Sequence, residues 1–141
     1  MMEGKFLGET ILLVDDNADL INVYVDSMKF LGFEHIITAN NGEDAITKYK
    51  TYRPDLVLMD VNMPKMNGVT AFRIIKNLDK DADIIFFTSD TYNPELKDLE
   101  KYYEVEIISK NISLSVLEGT IQKHLTRSTG RIYPKIPWLK E

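Results

Sequence analysis

In residues 11–20, ILLVDDNADL, four apolar residues run directly into Asp15 and Asp16. A short run of Ile, Leu and Val is typical of a buried β-strand. Two adjacent carboxylates at the end of such a strand disfavour each other's ionisation unless a cation lies close to both. The stretch therefore predicts a strand that ends at a cation site.

Four more apolar runs follow along the chain, and residues with helical periodicity come after each of the five. Gly32 follows the first helical stretch as a natural end, Pro94 opens the fourth, and Ser113 is a good N-cap for the fifth. Alternation of strands and helices indicates an α/β protein with helices on both faces of a parallel sheet. We expect a doubly wound, flavodoxin-like fold with five helices and strand order 2-1-3-4-5. The second, third and fourth strands are mostly continuous in apolar residues and should be buried on both faces. The predicted strands are TILLV (10–14), HIITA (35–39), LVLM (56–59), IIFFT (84–88) and VEIIS (105–109).

Composition restricts the classes of function. The chain has 141 residues, the size of one domain, and no cysteine, which excludes disulfides, thiol catalysis and thiolate metal sites. Its apolar runs are far shorter than the roughly 20 residues that span a bilayer, and its net charge of −5 disfavours a general nucleic-acid binder. We expect a cytoplasmic protein.

The chain divides into a leader over residues 1–7, one domain over 8–125 and a tail over 126–141. The tail is basic and aromatic, with a net charge of +3, which leaves −8 for the rest because the total is −5. Its prolines argue against a long helix. It is interpreted either as a linker stub or as a docking segment.

Polar residues follow four of the predicted strands. Asp15 and Asp16 follow the first, Asp60 the third, Thr88 ends the fourth and Lys110 follows the fifth. Singly, such residues are helix caps, strand formers or solvated charges. Together they meet at one edge, since the carboxyl ends of parallel strands share it. Three carboxylates and one ammonium leave a charge of −2, and oxygen ligands favour Mg²⁺.

This set resembles the receiver domain of two-component response regulators, of the kind found in chemotaxis regulators. The resemblance covers about residues 8–125. Besides the acidic pair, the threonine and the lysine, it rests on the motif D-x-x-M-P-x-M-x-G, which residues 60–68, DVNMPKMNG, match in full.

The resemblance implies that Asp60 takes a phosphoryl group from a sensor histidine kinase or a phosphotransfer protein. It implies that Thr88 and Lys110 bind phosphoryl oxygens. The implied Mg²⁺ ligands are Asp15 through a water, Asp16, Asp60 and the backbone carbonyl of Asn62. Such a domain is not an enzyme beyond its own phosphorylation and dephosphorylation. It would signal to an unknown downstream protein, as a monomer or a weak phosphorylation-dependent dimer, without binding nucleic acid or membrane.

Three positions depart from the family pattern. Ile107 stands where an aromatic residue is usual, Asn111 where a proline is usual, and Ser89 where Ala or Gly is usual. A cis peptide bond at Lys110–Asn111 is therefore not expected. Ile107 is stiff at χ1 and cannot make the swing of an aromatic ring. We expect a smaller switch carried by the backbone after Thr88 and by the fourth helix, with Tyr102 or Tyr103 as substitutes.

Two other functions stay open. A haloacid-dehalogenase-like Mg²⁺ phosphatase would also use a strand-end aspartate, but it needs a second aspartate where Asn62 stands. A degenerate receiver would act only as a binding module. A dinucleotide-binding protein is discarded because the chain lacks a G-x-G-x-x-G motif. His35 and His124 are expected to have structural roles.

Overall fold

A computed structural model describes residues 8–129, with side chains through residue 126. The predicted leader over residues 1–7 and residues 130–141 of the predicted tail lie outside the described part. Strands and helices alternate throughout. They are β1 (Thr10–Val14), α1 (Ala18–Phe30), β2 (His35–Ala39), α2 (Gly42–Tyr52), β3 (Leu56–Met59), α3 (Gly68–Leu78), β4 (Ile84–Thr88), α4 (Pro94–Leu99), β5 (Glu106–Ser109) and α5 (Leu114–Thr129).

The five strands form one parallel sheet in the order β2-β1-β3-β4-β5, which confirms the predicted topology. Four predicted strands have the observed bounds, and β5 begins one residue later than expected. The expectation that the second strand is buried on both faces was wrong. In β2, His35 is exposed and the next three residues are only half-buried, because this strand lies at the edge of the sheet.

Two apolar clusters cover the two faces of the sheet. Successive strand residues point to opposite faces, so Leu12 and Val14 join one cluster while Ile11 and Leu13 join the other. Helices α2, α3 and α4 contribute to the first cluster, and α1 and α5 contribute to the second. The central strands β3 and β4 are buried along their whole length, which holds their carboxyl ends at fixed positions.

Asparagines begin four of the helices. Asn17, Asn41, Asn67 and Asn93 are the N-caps of α1 to α4, and each side chain accepts a backbone N–H in the first turn. Ser113 lies where a cap of α5 was predicted, and its hydroxyl accepts the Val116 N–H at 3.3 Å. Because asparagine meets the capping requirement, the aspartates that follow β1 and β3 are available for other contacts.

Candidate functional site

Three carboxylates meet where β1 and β3 end. Asp15 and Asp16 follow β1, Asp60 follows β3, and one oxygen of each lies within 4.8 Å of the others. The meeting follows from the sheet register, which pairs Val14 with Met59. Asp15 and Asp60 are 2% and 7% exposed, whereas Asp16 faces solvent. The convergence predicted from the sequence is therefore present.

Lys110 lies between the two buried carboxylates. Its Nζ donates to Asp15 Oδ2 at 2.5 Å and to Asp60 Oδ2 at 2.9 Å, and its side chain is only 10% exposed. Burial lowers the pKa of Lys110, but the hydrogen bonds and charges of the two aspartates outweigh that effect, so its pKa is raised. A charged Lys110 beside Asp15, Asp16 and Asp60 leaves a net charge of −2, which a divalent cation would neutralise.

Backbone amides fix the same two carboxylates from the other side. Asp15 Oδ1 accepts the Asn17 N–H at 2.9 Å, and Asp60 Oδ1 accepts the Val61 N–H at 2.8 Å. Each carboxylate therefore has one oxygen held by the backbone and the other held by Lys110. Hydrogen bonds from both sides orient the two groups before any ligand arrives.

Thr88 lies at the same edge, at the end of β4. It is buried, and its backbone carbonyl accepts the Lys110 N–H at 3.1 Å. Its hydroxyl oxygen accepts the Asp90 N–H at 3.0 Å. A hydroxyl that accepts one hydrogen bond still has its own hydrogen to donate. Ser89, one of the three departures, is exposed.

The loop after Asp60 approaches its own backbone closely. The Gly68 N–H donates to the Val61 carbonyl at 2.8 Å, and a Cβ added at Gly68 would lie 1.9 Å from the Asp60 carbonyl oxygen. Lys65 has a φ of 66°, in the left-handed region that residues other than glycine rarely adopt. The motif therefore requires glycine at position 68, because no room is left for a side chain beside the Asp60 backbone.

A polar network that was not predicted from the sequence joins this loop to the loop after β4. The Asp90 carboxylate accepts from the Asn62 amide at 2.9 Å and from the Asn93 amide at 2.8 Å. These two hydrogen bonds lower the pKa of Asp90. The Asp and Asn residues of the two polar loops were the available sequence signal, but their mutual hydrogen bonds were not predicted. Asn62 is exposed, and the role of its backbone carbonyl as a metal ligand stays a prediction.

The aromatic substitutes proposed for the switch are not beside Thr88. Tyr103 packs edge-on against Phe72, with ring centroids 5.1 Å apart, and Tyr102 is exposed. Both precede β5, so they lie toward the amino ends of the strands, whereas Thr88 is at the carboxyl end of β4. Ile107 is half-buried against the first core cluster. All peptide bonds among the described residues are trans, as expected after Lys110.

Comparison with known proteins agrees with this geometry. The family model of the response regulator receiver domain matches residues 11–122. The chain belongs to this family. Chemotaxis protein CheY of Bacillus subtilis is 44% identical over 79 residues, which are 56% of this chain and 66% of that protein. The aligned part thus spans just under two thirds of this relative.

Solved structures of receivers have the same fold. The response regulator protein TrrA of Thermotoga maritima, in complex with Mg²⁺ and BeF, is 29% identical with a TM-score of 0.74, over 82% of this chain and 98% of that one. The CheX–CheY–BeF₃–Mg²⁺ complex of Borrelia burgdorferi gives 29% identity and a TM-score of 0.68, over 84% and 87% of the two chains. Within residues 8–129, helices long and apolar enough to span a membrane are absent.

Proposed function

We propose that this receiver accepts a phosphoryl group on Asp60, with Mg²⁺ bound beside it, and signals through contacts with a downstream protein. The observation that supports this most strongly is Lys110, whose ammonium bridges Asp15 and Asp60 at the carboxyl edge of the sheet. The bridge brings together the proposed nucleophile Asp60, the metal-ligand candidate Asp15 and the ammonium of Lys110, which would pair with the phosphoryl group. Family membership and the Mg²⁺ complexes of two relatives support the same function.

The site residues divide the work of phosphoryl transfer. A carboxylate oxygen of Asp60 attacks phosphorus while the bond from phosphorus to the donor's imidazole nitrogen breaks. Lys110, whose raised pKa keeps it charged, stays beside Asp60 and pairs with a phosphoryl oxygen. The Thr88 hydroxyl donates its free hydrogen to another oxygen. Positioning and charge neutralisation are what this reaction needs from a protein.

The acidic residues fit a hard divalent cation. Asp16 is exposed and would bind the ion directly, together with Asp60 and the Asn62 carbonyl. Asp15 would act through a water, because Lys110 and a backbone amide already hold it. Such an oxygen set suits Mg²⁺. Mg²⁺ bound there would neutralise negative charge on the phosphoryl oxygens during transfer.

Incubation with acetyl phosphate and Mg²⁺ tests the acceptor. Intact-mass measurement should show one added phosphoryl group that hydroxylamine removes. Asp60→Asn should abolish it, because the amide is a poor nucleophile. Asp44→Asn, at a partly exposed carboxylate on α2, is the matched control and should label like wild type. Equal labelling of Asp60→Asn and wild type would show that the acceptor lies elsewhere.

The same assay separates the alternatives. A receiver gains one group per chain, whereas a haloacid-dehalogenase-like phosphatase would release phosphate continuously. A degenerate receiver that acts only as a binding module would leave the wild-type chain unlabelled. We further propose that the donor is a histidine kinase or a phosphotransfer protein, that the domain works in the cytoplasm, and that it is a monomer or a weak phosphorylation-dependent dimer.

A further inference from the structure

A second charged cluster lies at the amino ends of β4 and β5, whereas Asp60 lies at the carboxyl end of β3. His124 on α5 contacts two carboxylates: its Nδ1 lies 2.8 Å from Asp83 Oδ1, and its Nε2 lies 2.6 Å from Glu106 Oε1. Asp83 directly precedes β4, and Glu106 is the first residue of β5. One imidazole ring therefore joins α5 to the starts of two neighbouring strands.

The geometry requires a particular protonation state. A neutral imidazole donates through only one nitrogen, so it would leave the other nitrogen facing a carboxylate with no hydrogen between them. The imidazolium donates through both nitrogens and satisfies Asp83 and Glu106 together. The His124 side chain is 5% exposed, and an unpaired buried polar group is costly. The three-residue arrangement therefore depends on the proton.

Two other charged groups lie near His124. Glu104, in the turn before β5, and Lys76 of α3 line the same cavity of about 370 Å³ as His124, together with Tyr103. The Lys76 ammonium is bonded to the Ala82 carbonyl, whereas Glu104 is exposed to solvent. The cavity gives water a route to the ring, so the proton can exchange without unfolding of the domain.

The contact between Glu106 and His124 matters for the stability of β5 because of where this strand lies in the sheet. β5 lies at the edge of the sheet, beyond β4, and its four residues are only half-buried. The contact from Glu106 to His124 fastens the first residue of this edge strand to the helix that packs over it. The buried side chains of Leu117, Ile121 and Leu125 hold α5 on the sheet independently of this contact. Loss of the proton should therefore loosen the contact without detaching the helix.

We propose that Asp83, His124 and Glu106 form a proton-dependent clamp that fastens α5 and the edge strand β5 to the sheet and loosens when His124 loses its proton. The clamp contains none of the residues proposed for phosphoryl transfer, so the inference does not rest on the proposed function of Asp60. It makes the local stability of the β5–α5 face respond to pH.

The direction of the response follows from linkage. Burial lowers the pKa of His124, but the hydrogen bonds and charges of Asp83 and Glu106 outweigh burial and raise it above the ordinary value of 6.5. Above that ordinary value, the folded chain holds a proton that the unfolded chain has released. The stabilisation is thus fully present below pH 6.5 and is lost as the pH rises through the raised pKa.

An NMR titration of the full chain tests the clamp without any mutation. His35 is the only other histidine in the sequence, so two sets of ring signals are expected. The His124 midpoint should lie above the ordinary value of 6.5. Glu106→Gln and Asp83→Asn should each lower it, and His35→Gln should leave it unchanged. A His124 midpoint at or below 6.5 would overturn the proposal.

Amide hydrogen exchange measures the expected change in the local stability of β5 and α5. Protection factors, which correct for the intrinsic pH dependence of exchange, should fall about tenfold in β5 and the second half of α5 as the pH passes the His124 midpoint. Those of β1 and β3 should not change. In His124→Gln, the protection of β5 should no longer depend on pH. Constant protection in wild type, or an equal loss across all strands, would contradict a local clamp.

Discussion

Replacing Lys110 with methionine should strongly destabilise the metal-free domain. The ammonium is bonded to Asp15 at 2.5 Å and to Asp60 at 2.9 Å, and the three side chains are only 3–10% exposed. Methionine keeps most of the volume but leaves two buried carboxylates without their cation. Removing one partner from a buried ion pair typically costs about 3–5 kcal/mol. We expect a loss in this range in the free energy of unfolding at neutral pH.

Mg²⁺ is the proposed ligand of the acidic cluster. By binding the folded form of Lys110→Met, it should reduce the loss. At a concentration 100 times its dissociation constant, a ligand of the folded state adds about 2.7 kcal/mol. Recovery by Mg²⁺ would separate a charge effect from a packing effect.

Urea unfolding followed by circular dichroism, in EDTA and in Mg²⁺, measures these differences. Lys101→Met is the control, because Lys101 is 70% exposed and its nitrogen lies 3.6 Å from Asp98 on the same surface. Exposed pairs contribute at most about 1 kcal/mol. If Lys110→Met loses no more stability than Lys101→Met in EDTA, the bridge does not hold the site together, and the reasoning fails.

Three further predictions concern the carboxyl edge. Gly68→Ala should cost about 1–3 kcal/mol in stability, since its Cβ would lie 1.9 Å from a backbone carbonyl oxygen, whereas Gly119→Ala, with open space around it, should be neutral or stabilising in thermal unfolding. Asp16→Ala should abolish Mg²⁺ binding in calorimetry and Asp15→Ala should weaken it less; equal affinities in wild type and Asp16→Ala would refute the ligand assignment. Mg²⁺ with beryllofluoride should shift amide signals as far as residues 90–108, and Asp90→Ala should shorten that reach; shifts confined to the pocket in wild type would show that the signal leaves elsewhere.

The fold was predictable because each strand signal is local and strong. LVLM and IIFFT are continuous apolar runs, and the structure buries every residue in them. The same rule failed for HIITA, because a composition suited to a central strand also suits an edge strand. The predicted strand order 2-1-3-4-5 already placed HIITA at the edge of the sheet, so its burial should have been judged from the order and not from its apolar composition.

The site was predictable in part for the same reason. Asp15, Asp60 and Lys110 each follow a strand directly, so the topology alone brings them together. The contacts of His124 were not predictable, because its partners Asp83 and Glu106 are 41 and 18 residues away in the chain. Their pairing depends on the register of β4 with β5 and on the rotation of α5, and short stretches of sequence do not encode either.

Hydrogen bonds, rather than an aromatic side chain, connect Thr88 to the start of α4. The Thr88 hydroxyl accepts the Asp90 N–H, the Asp90 carboxylate accepts from the Asn93 amide, and the Asn93 side chain caps α4. If the hydroxyl turns toward a phosphoryl group on Asp60, the Asp90 N–H loses its acceptor and the loop must adjust. The adjustment reaches α4 through its cap, while Ile107, which is stiff at χ1, stays in place. A receiver with isoleucine at this position can therefore still move its fourth helix, by a shift that begins at the cap rather than at β5.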